Sequence, residues 1–414
     1  MNELIEEYTN EHLEIFLLGK RYHAQFYCED DQLKIKLLDL MDRETALKCE
    51  KNFKIVNGII RSKDITFFDM KKCGLSYAFK GEGFELRFIF NEFIENYKYR
   101  NKNERKINVA LVEFYNINDF TETPFYDYSE HLNPVFNSKC YGYNFQDKKI
   151  SIFCGKKATA SYYSYKMEKT ISIEFKYNNP QKYQDVMKDI YHFKAFLSII
   201  SKREIGLKKV RINELGILFL NCIKFTDKIP DNIFLAHKYN EFVLTLEKIE
   251  SNFGEIYDKF DSLFNNSSPA FEIYLDILQH DTSSLNKFLN YTQILEYVSK
   301  NYDKDGAYNT WLKNGKKGQN ISLSNRIESI LNHVSYIWDF DNKKIHQLAI
   351  KIANGRNYYN HHTNISNKLS NDDLFRLPYF LEDAMLAFIY QYIGVEKTII
   401  ADSLAKNIHY FKFI

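Results

Sequence analysis

The 414-residue sequence has few of the features that mark crosslinked, metal-bound or membrane proteins. Its six cysteines are scattered without any Cys-x-x-Cys pair, so the spacing predicts buried thiols and neither a zinc site nor a disulfide framework. No apolar run approaches the ~18–20 residues of a membrane span, and the acidic start lacks the basic region of a signal peptide. We therefore expect a cytoplasmic protein with no membrane partner.

A large excess of charge of either sign is also absent. The formal net charge is +2, whereas a nucleic-acid-binding domain usually shows a strongly basic face. Any contact with RNA must therefore be local. The chain is 45% hydrophobic and 27% charged, which is ordinary for a soluble protein, and its length allows two domains with cores of their own.

The first half of the chain has a sequence pattern typical of β-strands. Short strand-like runs alternate with polar turns, and a helix that starts at Asn179 and Pro180 is expected to pack on the sheet. We predict a β-rich antiparallel domain, sandwich-like or barrel-like, over residues 1–226. The clearest strand-like runs are Arg21–Cys28, Leu33–Leu38, Phe53–Ile60, Phe84–Phe90, Ile107–Phe114, Lys149–Cys154 and Thr170–Tyr177.

Helical spacing of apolar residues takes over after residue 226. Residues 227–414 are predicted to form an all-α bundle, which makes the fold class α+β. A mobile surface loop is expected over Asp303–Ile321. The predicted helices are Ile233–Asn252, Ala270–Gln279, Leu285–Tyr302, Ser324–Trp338, Lys343–Tyr359, Asp372–Tyr392 and Glu396–Tyr410.

A short motif late in the helical half carries groups suited to chemistry on phosphates. Arg356 is followed by Asn357 and then by His361. An arginine grips phosphate through paired N–H groups, and a histidine gives or takes a proton near pH 7. The motif resembles that of HEPN ribonucleases, in which an arginine, a polar residue and a histidine occur at this spacing. The resemblance implies that Arg356, Asn357 and His361 are catalytic.

A second arginine–histidine pair, Arg326 and His333, has a similar spacing. We rank it lower because Ile327 stands where the pattern has a polar residue. Ile327, Ile330 and Val334 also predict a core helix with a harmless polar face.

The spacing of the motif poses a geometric problem, because five residues on one straight helix turn through about 140°. Either the helix unwinds before His361, near Gly355 and the Asn-rich run, or two copies of the motif converge across a two-fold axis. HEPN ribonucleases pair two motifs in one cleft, so the resemblance implies a homodimer. A structural alternative is that Arg356 pairs with a neighbouring helix while the histidines cap a helix end.

Two further residues are candidates for the site. Glu296 lies beside the predicted buried stripe of its helix and resembles an acidic position of HEPN bundles; it either faces solvent or orients Arg356. His362 adjoins His361, and the choice of catalytic histidine stays open. Adjacent histidines point to different sides and no nearby cysteine or carboxylate set completes a site, so we expect no metal and no cofactor.

The whole arrangement resembles ApeA-type anti-phage proteins, although only the C-terminal motif is specific. That resemblance implies abortive infection: an N-terminal domain senses infection through a phage-derived trigger or restrains the nuclease, and the HEPN domain cuts host RNA, either tRNA or mRNA. In such a metal-independent endoribonuclease the 2′-hydroxyl of RNA would be the nucleophile. The alternative from another class is a non-catalytic HEPN module that binds RNA, a nucleotide or a protein.

Overall fold

The structure is a computed structural model. The residues that it describes are 8–29, 32–77, 83–90, 92–95, 106–121, 139–161, 164–212, 216–220, 243–280, 282–315, 320–338, 340–361 and 364–404. The chain divides into two compact units, Met1–Lys194 with Ile205–Glu241, and Ala195–Glu204 with Phe242–Ile414. The predicted domain boundary after residue 226 falls within residues 221–242, outside the described part.

The first unit begins with a closed antiparallel barrel. In sheet order, β4-β1-β2-β3-β6-β5, each strand pairs with the next, and β4 pairs with β5 to close the ring. Alternate residues of these strands point inward, as the period-two pattern of strands requires. The elements are β1 (His12–Leu17), β2 (Lys20–Glu29), β3 (Gln32–Leu37), α1 (Arg43–Lys48), β4 (Phe53–Ile60), β5 (Lys63–Tyr77) and β6 (Phe84–Ile89).

Aromatic side chains fill the core of this barrel. The rings of Phe67 and Phe90 lie 5.0 Å apart, and those of Tyr8 and Phe93 lie 5.1 Å apart. Phe26 contacts the same cluster, and all five side chains are buried. The interior is thus a packed hydrophobic core, as in other small barrels.

A second sheet continues from the barrel through β5, a barrel strand that also pairs with β7. β7 pairs with β5 on one side and with β13 on the other, and the sheet order onward is β7-β13-β12-β8-β11-β10-β9. The predicted β-rich antiparallel N-terminal domain is therefore confirmed. Its remaining strands are β7 (Glu92–Glu95), β8 (Lys106–Tyr115), β9 (Lys139–Asn144), β10 (Lys148–Ser161), β11 (Ser164–Lys182), β12 (Gly206–Ile212) and β13 (Gly216–Leu220).

The helix α2 (Tyr183–Ser201) starts later than the sequence predicts. Asn179 and Pro180 belong to the end of β11, so their assignment to a helix start is wrong. The pairing of β11 with β8 shifts register between residues 176 and 181. A proline has no N–H to donate, and such an irregularity in the ladder is where a strand accommodates it.

The second unit is helical throughout its described residues, which confirms the predicted helical C-terminal region. Each helix buries an apolar face against its neighbours, as the periodicity requires. The helices are α3 (Leu246–Ile249), α4 (Phe253–Gln279), α5 (Ser284–Tyr302), α6 (Lys304–Lys313), α7 (Leu323–His333), α8 (Asn342–His361), α9 (Asn371–Ile393) and α10 (Lys397–Leu404).

Two details of the helical prediction are wrong. α4 is one continuous helix that contains Pro269, because the buried face of Phe260, Phe271 and Tyr274 extends across the proline. Most of the region expected to be a loop forms α6, which buries Trp311. Packing of an apolar face outweighs the local breaking tendency of proline and glycine in both places.

The cysteines only partly follow the expectation. Cys49 and Cys154 are buried and Cys28 is half-buried, but Cys73 and Cys140 are exposed. Among the described helices, none has both the length and the apolar character of a membrane span.

Candidate active site

Arg356 lies near the end of α8, on the same side of the helix as its buried face. Leu348, Ala349 and Ile352 are buried, and Arg356 follows Ile352 by one turn. The Arg356 side chain keeps 25% of its surface exposed. The buried face therefore fixes the stem of the arginine and leaves part of its guanidinium accessible.

Glu296 faces Arg356 from α5. Tyr291, Leu295 and Val298 bury the adjoining face of that helix, which directs Glu296 to its edge. The Arg356 Nη2 atom donates to Glu296 Oε2 at 3.5 Å, and Nη1 donates to Asn357 Oδ1 at 3.3 Å. The structure thus brings together three predicted site residues, Glu296, Arg356 and Asn357.

Glu296 also forms an ion pair with Lys300, which was not predicted from the sequence. Lys300 lies one turn further along α5, and its Nζ is 2.5 Å from Glu296 Oε1. The spacing of four residues is the ordinary one for a helical ion pair. This ion pair could have been predicted from the sequence, because a lysine four residues after a candidate site glutamate lies on the same helix face.

His361 occupies the last position of α8, and the helix reaches it without interruption. Its side chain is exposed and, within the described residues, forms no hydrogen bond or ion pair. The helix does not unwind before His361, so that alternative is wrong. On a regular helix the positions of Arg356 and His361 therefore lie about 140° apart around the axis of α8.

Gly355 has a packing role in place of the unwinding role considered from the sequence. A Cβ added at this position would lie 2.8 Å from both Cγ and Cδ1 of Leu369, which is buried. Only a residue without a side chain lets Leu369 approach the helix so closely. The glycine thus fixes the segment after the motif against α8.

The start of α9 is also fastened to α8. Lys351 donates to Asp373 Oδ1 at 2.5 Å, and Asp373 and Ser370 form a capping box at the α9 N-terminus. Burial raises the pKa of Asp373, but the hydrogen bonds from Lys351 and Ser370 outweigh this and the pKa is lowered overall. Because its folded pKa is depressed, Asp373 contributes stability above pH 4 that is lost as the pH falls through that pKa.

The lower-ranked pair, Arg326 and His333, lies on α7, a helix of the core. Ile327 and Ile330 are buried as predicted, and the His333 ring packs 5.2 Å from that of Phe388. This ring contact gives His333 a packing role on α7.

The other candidates are only partly described. His362 lies outside the described residues, so its role and the choice between the two histidines stay predictions. Over the ranges that the structure describes, no three His, Cys, Asp or Glu side chains lie close enough to bind a metal ion.

A buried polar network lies in the same unit. Lys202 Nζ is 2.6 Å from Asp383 Oδ1 and 3.0 Å from Glu382 Oε2. The other oxygen of Glu382 accepts hydrogen bonds from Tyr274 and Tyr291, at 3.1 and 3.2 Å. Because Tyr291 lies on α5, the network fixes the helix that carries Glu296. In the sequence, the acidic pair Glu382 and Asp383 within the apolar run of α9 indicated such a network, because buried carboxylates need partners.

Comparison with protein families gives two matches that together cover most of the chain. The model described as ApeA N-terminal domain 1 matches residues 26–260, and the model described as Apea-like HEPN matches residues 266–399. No curated protein and no solved structure matches.

Proposed function

Since the chain belongs to the ApeA family of HEPN proteins, we propose that it is an anti-phage defence protein that acts as a metal-independent endoribonuclease. Family membership supports anti-phage defence and a nuclease-type role for the HEPN domain. The finer proposal rests on one observation: a partly exposed arginine held by Glu296 and Asn357 lies on the same helix as an exposed histidine.

The chemistry uses the substrate's own nucleophile. The 2′-oxygen of RNA attacks the adjacent phosphorus and the bond from phosphorus to the 5′-oxygen breaks. His361 takes the proton of the 2′-hydroxyl or delivers one to the departing 5′-oxygen, and water accepts or supplies the other proton. Arg356 stabilises the charge that develops on the non-bridging oxygens, and Asn357 and Glu296 hold its guanidinium. The products are a 2′,3′-cyclic phosphate and a 5′-hydroxyl.

The proposed active species is a homodimer. Arg356 and His361 of one chain point about 140° apart, so the arginine of one protomer would act with the histidine of its partner. We expect the substrate to be host tRNA or mRNA and the protein to act in the cytoplasm. The β-rich domain would control the nuclease and raise its basal activity when a phage-derived trigger arrives.

A non-catalytic HEPN module that binds RNA, a nucleotide or a protein is the second candidate. The separation of Arg356 and His361 on one helix favours it, because a binder needs no convergence of the two. Expression of the protein in growing cells separates the candidates. If the protein is a nuclease, its expression should arrest growth and the single change His361→Ala should relieve the arrest. If it is a non-catalytic binder, His361→Ala should leave growth unchanged.

We expect RNA cleavage by the purified protein to proceed in EDTA at the rate seen without it. The reason is that the nucleophile belongs to the substrate and the proposed catalytic groups are an arginine and a histidine. The measurement is the cleavage rate of a single-stranded RNA in buffer with and without EDTA. Arg356→Ala, purified in parallel, controls for contaminating nucleases. Loss of cleavage in EDTA that added Mg²⁺ or Mn²⁺ restores would contradict metal independence.

A further inference from the structure

Glu296 is a single carboxylate that serves two cations. Its Oε2 contacts Arg356 at 3.5 Å, and its Oε1 contacts Lys300 at 2.5 Å. The Lys300 side chain is 51% exposed and that of Arg356 is 25% exposed. Two positive charges thus lie on either side of one negative charge at the surface of the candidate site.

This arrangement leaves one positive charge uncompensated among the three side chains. An exposed ion pair between residues one helical turn apart is weak, so the ammonium of Lys300 leaves Glu296 at little cost. A lysine on a flexible stem binds phosphate as a point charge, whereas an arginine orients it through its fork of N–H groups. The two cations therefore suit different tasks on one anionic strand.

We propose that Lys300 is a substrate-binding residue that contacts the phosphate next to the one held by Arg356. This inference rests on the proposed ribonuclease function and deepens it, because it assigns a second phosphate subsite on α5. When RNA enters, Lys300 exchanges Glu296 for the flanking phosphate and Glu296 keeps its contact with Arg356. The substrate is then positioned by two adjacent phosphates, and Lys300 takes no part in proton transfer.

The chain offers a matched control in the same unit. Glu255 and Lys259 on α4 form an ion pair at the same spacing, 2.6 Å long, with the lysine 44% exposed. The structure describes no arginine contact for Glu255. Lys259 thus shares with Lys300 the spacing from its glutamate and a similar exposure, and it lacks the neighbouring arginine.

The test is the cleavage of a single-stranded RNA oligonucleotide by the full chain at several salt concentrations. We expect Lys300→Gln to raise KM about five-fold, the upper end for an exposed ion pair, and to leave kcat within about two-fold. The slope of log KM against log salt concentration should fall by about 0.7, the value for one phosphate contact on a single strand. Lys300→Arg should restore both, and Lys259→Gln should change neither.

Two results would overturn the proposal. One is a KM and salt slope of Lys300→Gln equal to those of Lys259→Gln. The other is a fall in kcat at unchanged KM, because Lys300 would then act through Glu296 on Arg356. If the parent protein cleaves no RNA, the proposed ribonuclease function fails, and the Kd of the same oligonucleotide decides the role of Lys300. A five-fold weaker Kd in Lys300→Gln alone retains the subsite, and equal Kd values remove it.

Discussion

His361→Ala and Arg356→Ala each reduce the rate of RNA cleavage at least about 100-fold, the usual contribution of a proton-transfer group or of a charge that stabilises the transition state. Folding survives because His361 is exposed at a helix end and Arg356 is partly exposed and lies near the same end. The measurement is the single-turnover cleavage rate of an RNA oligonucleotide, with circular dichroism as the check on folding. His362→Ala is measured separately, and full activity in His361→Ala with none in His362→Ala would move the role to the neighbour.

Arg326→Ala and His333→Ala are the matched controls, because this second arginine–histidine pair lies on the core helix α7. We expect both variants to cleave RNA at the parental rate. A loss of activity in these variants as large as in the motif variants would mean that the wrong pair has been chosen.

A mixture of the two inactive chains tests whether the site is shared between protomers. In a heterodimer of Arg356→Ala with His361→Ala, one cleft holds an intact arginine and an intact histidine from different chains. We expect part of the activity to return in the purified heterodimer. A parental protein that cleaves RNA as a monomer in light scattering would decide against the shared site.

Lys202→Met lowers the free energy of unfolding of the helical unit by about 3–5 kcal/mol, the cost of removing one partner from a buried ion pair. The methionine keeps the length of the side chain but removes the cation from beside Glu382 and Asp383, whose side chains are 11% and 1% exposed. Urea unfolding of the full chain, followed by the helical circular dichroism signal, measures the change. A shift below about 1 kcal/mol would show that this cation is dispensable.

Removing the charges together should cost much less than removing the lysine alone. The triple variant Lys202→Met, Glu382→Gln, Asp383→Asn leaves no carboxylate without its cation, so we expect it to recover part of the loss. Burial lowers the pKa of Lys202, but the carboxylates of Glu382 and Asp383 outweigh this effect and the pKa is raised overall. A raised folded pKa gives stability that is fully present below the unfolded lysine pKa of about 10.4 and is lost as the pH rises from there through the folded pKa. The lysine's contribution should therefore be constant between pH 6 and pH 9.

The sequence predicted best what depends on local patterns. The period-two run Thr170–Tyr177 lies inside β11, and the periodicity of α5 located that helix within one residue. Family resemblance placed Glu296 near Arg356, and the two side chains are in contact. Whether this contact serves catalysis stays a prediction.

What the sequence did not predict depends on contacts between distant residues. Lys202 and Asp383 are 181 residues apart, so no local pattern predicts their ion pair. The closure of the barrel depends on the pairing of β1 with β4, in which Leu13 lies opposite Ile60, and no local pattern encodes this pairing. The direction of His361 depends on how far α8 continues, and neither Gly355 nor the following asparagines end it.

The most direct test of the central claim is the cleavage of a DNA oligonucleotide that contains one ribonucleotide, incubated with the protein in EDTA. The account predicts one cut, on the 3′ side of the single ribose, with a 2′,3′-cyclic phosphate on one fragment and a 5′-hydroxyl on the other. The same oligonucleotide with a 2′-O-methyl group at that position should stay intact. Cuts at deoxyribose positions, or ends that carry a 3′-hydroxyl and a 5′-phosphate, would contradict a mechanism in which the RNA's own 2′-hydroxyl attacks.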